Sequence, residues 1–124
     1  ACKADFEGKK IIKQLAPIQR NFEFITDFGS FELPPHTDTA NKLVTLLIYG
    51  ADQGADPRLG TSLFKPYEEN INSDKKSNTR HLFQEFECVK TVPYRANTCL
   101  IFPPTKKSFH GVLPVPSYEQ RSLI

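Results

Sequence analysis

The chain has 124 residues, 39% of them hydrophobic and 24% charged, and 16 Lys and Arg against 14 Asp and Glu give a formal charge of +2. This is the composition of one soluble globular domain, 1–124, able to bury roughly two-thirds of its unfolded surface around a single core. Near-neutral charge with no basic cluster longer than a Lys pair disfavours a nucleic-acid surface. No apolar run is long enough to span a membrane, and ACKADFEGKK lacks the apolar segment of a signal peptide, so a cytoplasmic location is expected.

Residues 5–15 (DFEGKKIIKQL) carry a ragged helical stripe of Phe6, Ile11, Ile12 and Leu15 that Pro17 ends, which predicts one N-terminal helix packed outside a sheet. NFEFITDF (21–28) alternates and reads as a strand. GSFELPP leads to His36-Thr37-Asp38. KLVTLLIYG (42–50) is apolar on both faces, so an inner strand is expected. ADQGADPRLG is turn-rich, and GTSLFKP (60–66) is a short strand opened by Gly60. Residues 66–80 are polar and aperiodic; they read as a loop, either a substrate lid or a disordered connection. HLFQEFECVKTV (81–92) is a strand of uncertain phase, TCLIFPP (98–104) a buried strand, and KSFHGVLPV (107–115) and EQRSLI (119–124) a final pair. Six or seven strands punctuated by ten Pro predict an all-β (mainly β) barrel or jelly roll. Cys2, Cys88 and Cys99 form an odd set without CxxC spacing. Reduced thiols are expected, with Cys88 and Cys99 as small core residues.

The chemistry-bearing stretch is LPPHTDTANKLVTLLIYG. In extended chain, residues i and i+2 point the same way, so His36 and Asp38 offer one nitrogen and one oxygen ligand to a common point. His110, 74 residues after His36 in SFHGVLPV, can close the site from across a sheet. Two His and one carboxylate on one face of a metal, with open positions beside them, is the donor set of non-haem Fe(II) oxygenases. Eleven residues after His110 comes Arg121, whose planar fork suits the far carboxylate of a dicarboxylate co-substrate. The bland roles are a turn His, a cap Asp, a core His and a surface ion-pair Arg. His81 lacks a carboxylate at ligand spacing and reads as solvated surface.

In that order, His36-Thr37-Asp38, VTLLIYG, GTSLF, CLIFPP, FHGV and QRS resemble the Fe(II)/2-oxoglutarate-dependent dioxygenase superfamily, in the style of its prolyl 4-hydroxylase-like branch. The resemblance covers about residues 22–124. It implies a double-stranded β-helix (jelly roll), with His36, Asp38 and His110 as iron ligands and Arg121 on the C5 carboxylate of 2-oxoglutarate. Tyr49 is placed to hydrogen-bond the co-substrate or to serve as a plain core tyrosine. The implied reaction decarboxylates 2-oxoglutarate to succinate and CO2 with O2 and hydroxylates a small-molecule or peptide substrate, with ascorbate admissible as reductant. Asp38 favours hydroxylation over halogenation. The chain is shorter than is usual in the family, which leaves its N-terminal part open to truncation, and the branch's Gly-Gly is here Gly60-Thr61. The alternatives are a jelly-roll binding module without turnover and a cupin-like metal enzyme that does not use 2-oxoglutarate. A homo-oligomer formed over an exposed sheet edge also stays open.

Overall fold

The computed structural model describes residues 18–39, 41–69, 71, 80–116 and 119–124. The helix expected over 5–15 and most of the 66–80 loop lie outside these residues. The described chain is mainly β, with every strand pair antiparallel. The strands are β1 (Ile25–Asp27), β2 (Leu33–His36), β3 (Thr45–Ile48), β4 (Thr61–Pro66), β5 (Phe86–Val92), β6 (Cys99–Phe102), β7 (His110–Val112) and β8 (Arg121–Leu123). No helix among the described residues is long and apolar enough to cross a membrane.

Pairing is nested: β1 with β8, β2 with β7, β3 with β6 and β4 with β5. One sheet runs β2-β7-β4-β5. The β1-β8 and β3-β6 ribbons are joined by Ile48 and Ile124, whose backbones exchange hydrogen bonds of 2.8 and 3.0 Å, and by the Tyr49–Leu123 bridge. The inner faces of the two layers meet in a core of Tyr49, Leu59, Tyr94, Val115 and Leu123. Tyr94 fastens the layers, because its hydroxyl accepts from Ser122 N at 2.7 Å and faces the carbonyls of Gly50 and Ser122. A second cluster of Phe64, Phe86 and Phe109 involves Phe64 and Phe109 from the opposite face of the β2-β7-β4-β5 sheet.

Local chemistry explains the edges. Pro34 and Pro35 have no N–H to donate, so a strand containing them is tolerated only at a sheet margin, which is where β2 lies. Its two prolines hid it, which is why eight strands stand among the described residues where six or seven were expected. Gly60 starts β4 against β5 so closely that a Cβ would fall 1.7 Å from Val92 O. Its φ of −73° is ordinary, so contact rather than conformation demands glycine here.

Four expectations are corrected. The segments 107–115 and 119–124 do not pair; β7 joins β2 and β4 while β8 joins β1, so the two strands lie in different sheets. The 42–50 strand has neighbours on both sides but only one covered face, with Leu46 and Ile48 exposed. The 98–104 strand likewise exposes Ile101. Cys88 and Cys99 are free but exposed, not core residues.

Candidate metal centre

β2 ends at His36, and its register sets His36 directly across from His110, the first residue of β7. Both side chains therefore share the inward face, with ring centroids 4.5 Å apart and planes tilted by 50°. They are 5% and 6% exposed. The Nδ1 of His36 lies 2.9 Å from Pro34 O and that of His110 lies 3.0 Å from Ser108 O. A carbonyl oxygen only accepts, so each Nδ1 carries the proton and each Nε2 is left with a lone pair. A carbonyl that accepts from one ring nitrogen is the kind of partner that orients metal-binding histidines. Phe102 packs on the His110 ring at 4.7 Å from the opposite layer.

Asp38 follows β2 and turns inward. Its Oδ2 lies 4.0 Å from His110 Nε2. Its Oδ1 accepts from Lys42 Nζ at 2.8 Å and its Oδ2 from the Thr45 hydroxyl on β3. Each carboxylate oxygen has a second lone pair, so these bonds leave acceptor capacity toward the histidines. The structure thus brings the three expected ligands into one neighbourhood. Among the described residues, however, no group of three or more His, Cys, Asp or Glu side chains is placed so that it could hold a metal ion. The donor chemistry fits Fe(II), with two neutral imidazoles and one anion.

Electrostatics keep that donor set in its ligand state. Burial, and then the neighbouring imidazole of His110, hold His36 below its ordinary pKa. Burial likewise lowers His110. For Asp38, burial pushes upward, but the hydrogen bonds from Lys42 and Thr45 and the proximity of His110 outweigh it, so the carboxyl ionises more readily than usual. Histidines lowered in the folded state cost stability in acid, since below the ordinary value of 6.5 the unfolded chain takes up protons that the folded chain resists. The metal-free protein is expected to lose stability as pH falls through that value. The loss should shrink in a His36→Gln/His110→Gln double variant, as denaturant titrations across that range would measure.

Arg121 and Tyr49 lie farther along the interior. Arg121 is buried, directly across from Asp27 in the β1–β8 register. Its Nη1 donates to Asp27 Oδ2 at 2.7 Å and its Nε to Leu59 O at 2.8 Å. Tyr49 is buried beside Tyr94, and its hydroxyl oxygen accepts from Thr61 N at 2.9 Å. Both roles weighed for Tyr49 are thus compatible with its place: it is a core residue and it carries a hydroxyl into the interior.

Sequence reasoning missed Thr45, Lys42, Asp27 and Phe102. Only Asp27 left a trace, as a carboxylate inside an aromatic strand pattern. His81 is not solvated surface: its ring packs at 5.4 Å from Phe86 and 5.5 Å from Phe109, with Nε2 buried and unpartnered among the described residues. Its backbone N–H donates to Pro35 O at 2.9 Å, which ties the segment after the 66–80 loop to the strand that carries His36. Comparison with protein-family models, curated proteins and solved structures gives no match.

Proposed function

We propose that this chain is a non-haem Fe(II)- and 2-oxoglutarate-dependent dioxygenase that hydroxylates an as yet unidentified small-molecule or peptide substrate. The observation that carries the reading is the pairing of His36 with His110 across β2 and β7, with both Nδ1 atoms committed to carbonyls and the Asp38 carboxylate beside them. Two further features support it. The nested eight-strand order is that expected of a double-sheet jelly roll. A buried guanidinium and a buried tyrosine hydroxyl, Arg121 bonded to Leu59 O and Tyr49 accepting from Thr61 N, stand at the start of β4, the strand that also pairs with β7.

His36, His110 and Asp38 would hold the metal. Bound there, Fe(II) with 2-oxoglutarate supplies O2 activation, with release of succinate and CO2 and transfer of oxygen to a substrate C–H. The protein's own work is positioning. Pro34 O and Ser108 O fix the imidazole planes, Lys42 and Thr45 hold the carboxylate, and Phe102 covers the His110 ring against water. Arg121, anchored by Asp27 and Leu59 O, presents its remaining edge in a set orientation.

The Arg121–Asp27 pair favours one other reading: a metal enzyme of the same architecture that does not use 2-oxoglutarate, in which Arg121 only ties β8 to β1. Arg121→Ala separates the two poorly, because it strands Asp27 as an unpaired buried charge. Asp27→Asn is the better probe. If the oxygenase reading holds, anaerobically Fe(II)-loaded protein releases succinate from 2-oxoglutarate when O2 is admitted, even without substrate. Asp27→Asn then binds 2-oxoglutarate several-fold more tightly, since the guanidinium charge is no longer neutralised. Intact metal binding without any succinate favours the second reading.

A further inference from the structure

β2 ends and β7 begins at His36 and His110, while β3 begins and β6 ends at Thr45 and Phe102. The Thr45 bond to Asp38 and the Phe102 contact with His110 put these four termini at one end of the fold. The connections 37–44 and 103–109 therefore close this end around the histidine pair. The exposed side chains they bring there include Lys42, Lys106 and Lys107. Arg80 joins them, because it precedes His81, whose N–H donates to Pro35 O beside His36. Lys42 is bonded to Asp38 at 2.8 Å. Among the described residues, the charged groups of Arg80, Lys106 and Lys107 make no ion pair or hydrogen bond.

These cations are held near the histidines. Lys106 and Lys107 form the tip of a turn in which Ser108 Oγ donates to Thr105 O at 3.0 Å and accepts from Thr105 N at 2.8 Å. The carbonyl of the same Ser108 orients the His110 ring. After burial and His110, the charge of Arg80 also lowers the His36 pKa; on His110, burial acts first and Lys42 adds to it. The carboxylates of this end stand elsewhere. Glu68 and Glu69 follow the end of β4, Glu85 accepts from Leu82 N, and Glu87 is across from Lys65 on β5, the strand at the far edge of the sheet from β2. Leu43, Val44 and Leu82, beside the cations in sequence, are exposed apolar groups. With a formal charge of only +2 on the whole chain, the positive excess is local. It is also separate from Arg121, which bonds Leu59 O before β4 begins, whereas His110 is level with Leu63.

We propose that the substrate of this centre carries a carboxylate, and that Arg80, Lys106 and Lys107 form the rim that selects it, as an acidic peptide or a small carboxylic acid. The proposal rests on the oxygenase reading above and names the substrate class that reading leaves open. Complementary charge at a rim steers encounter and rejects partners of like charge. A basic substrate would meet three unpaired cations on its way to the histidines. The exposed leucines and valine suit the apolar body of a substrate whose charged group the rim holds.

The test measures succinate release by the Fe(II)-loaded protein with 2-oxoglutarate and O2, above the rate without added substrate. The probes are decapeptide pools of random neutral sequence with fixed Glu, fixed Lys or neither, and a pool of straight-chain carboxylic acids beside the pool of their amides. The proteins are the wild type and the triple variants of Arg80, Lys106 and Lys107 to Gln and to Glu. Preference is a ratio read within each protein, so a change in folded fraction, metal or co-substrate binding cancels. The wild type is expected to favour Glu peptides over Lys peptides, or acids over amides, by about tenfold. Added salt should shrink that ratio, the Gln variant should bring it near unity, and the Glu variant should invert it. Stimulation by Glu peptides alone assigns a peptide substrate; stimulation by the acids alone assigns a small carboxylate. Equal stimulation by all pools, stimulation by none, a preference for Lys peptides or amides, or an unchanged ratio in the Glu variant overturns the rim while substrate-free succinate release keeps the oxygenase reading standing. No succinate under any condition overturns both.

Discussion

If the proposed centre exists, alanine at either His36 or His110 is expected to lower Fe(II) or Mn(II) affinity by more than about 100-fold, since even loss of a group that only hydrogen-bonds a ligand costs 10–100-fold. The effect is large because each histidine is a third of the proposed donor set. Each truncation also leaves a backbone carbonyl, Pro34 O or Ser108 O, without its imidazole donor, so the metal-free thermal midpoint is measured beside the affinity. Asp38→Asn retains acceptor capacity for Lys42 and Thr45 but loses the anion, so it should weaken binding less than either alanine. Anaerobic titration with one equivalent of metal measures all three variants. Unchanged stoichiometry and affinity in His110→Ala would remove the proposed centre.

Gly111→Ala should be nearly as damaging, although Gly111 carries no ligand atom. A Cβ there would lie 2.3 Å from Leu33 O and 3.1 Å from Pro34 O. Both atoms are backbone of β2, so no side chain can swing away. Relief requires β2 and β7 to part, which separates His36 from His110. The expected cost is about 3 kcal/mol or more in denaturant unfolding, with a fall in metal affinity beside it. Gly54→Ala is the control. Gly54 has a φ of +92° but open space around a Cβ, so alanine there should cost about 1–2 kcal/mol in backbone strain and leave metal affinity unchanged.

Legibility followed the range of the interaction. The strands at 60–66 and 81–92 were readable because alternation is a property of neighbours in sequence; β4 and β5 fall within them. β2 was not, because two prolines in four residues contradict every strand propensity, and only an edge position makes them tolerable. His36 and Asp38 stood out through i, i+2 spacing, and His110 through the residue types around it. Thr45, whose hydroxyl holds the Asp38 carboxylate, had no local mark at all. Burial misled at Cys88, Cys99, Leu46, Ile48 and Ile101, because an apolar residue in a strand can face either layer's core or the outside.

By itself, the sequence determined that this chain is strand-rich and that two histidines and a carboxylate lie in extended, apolar surroundings, since side-chain direction along a strand follows from backbone geometry alone. Only the tertiary structure decided that β2 meets β7, and therefore that His36 faces His110. It alone set Asp27 against Arg121. Those are pairings between residues far apart in the chain. They are fixed by register and by close backbone approach at Gly60 and Gly111, which no local pattern encodes.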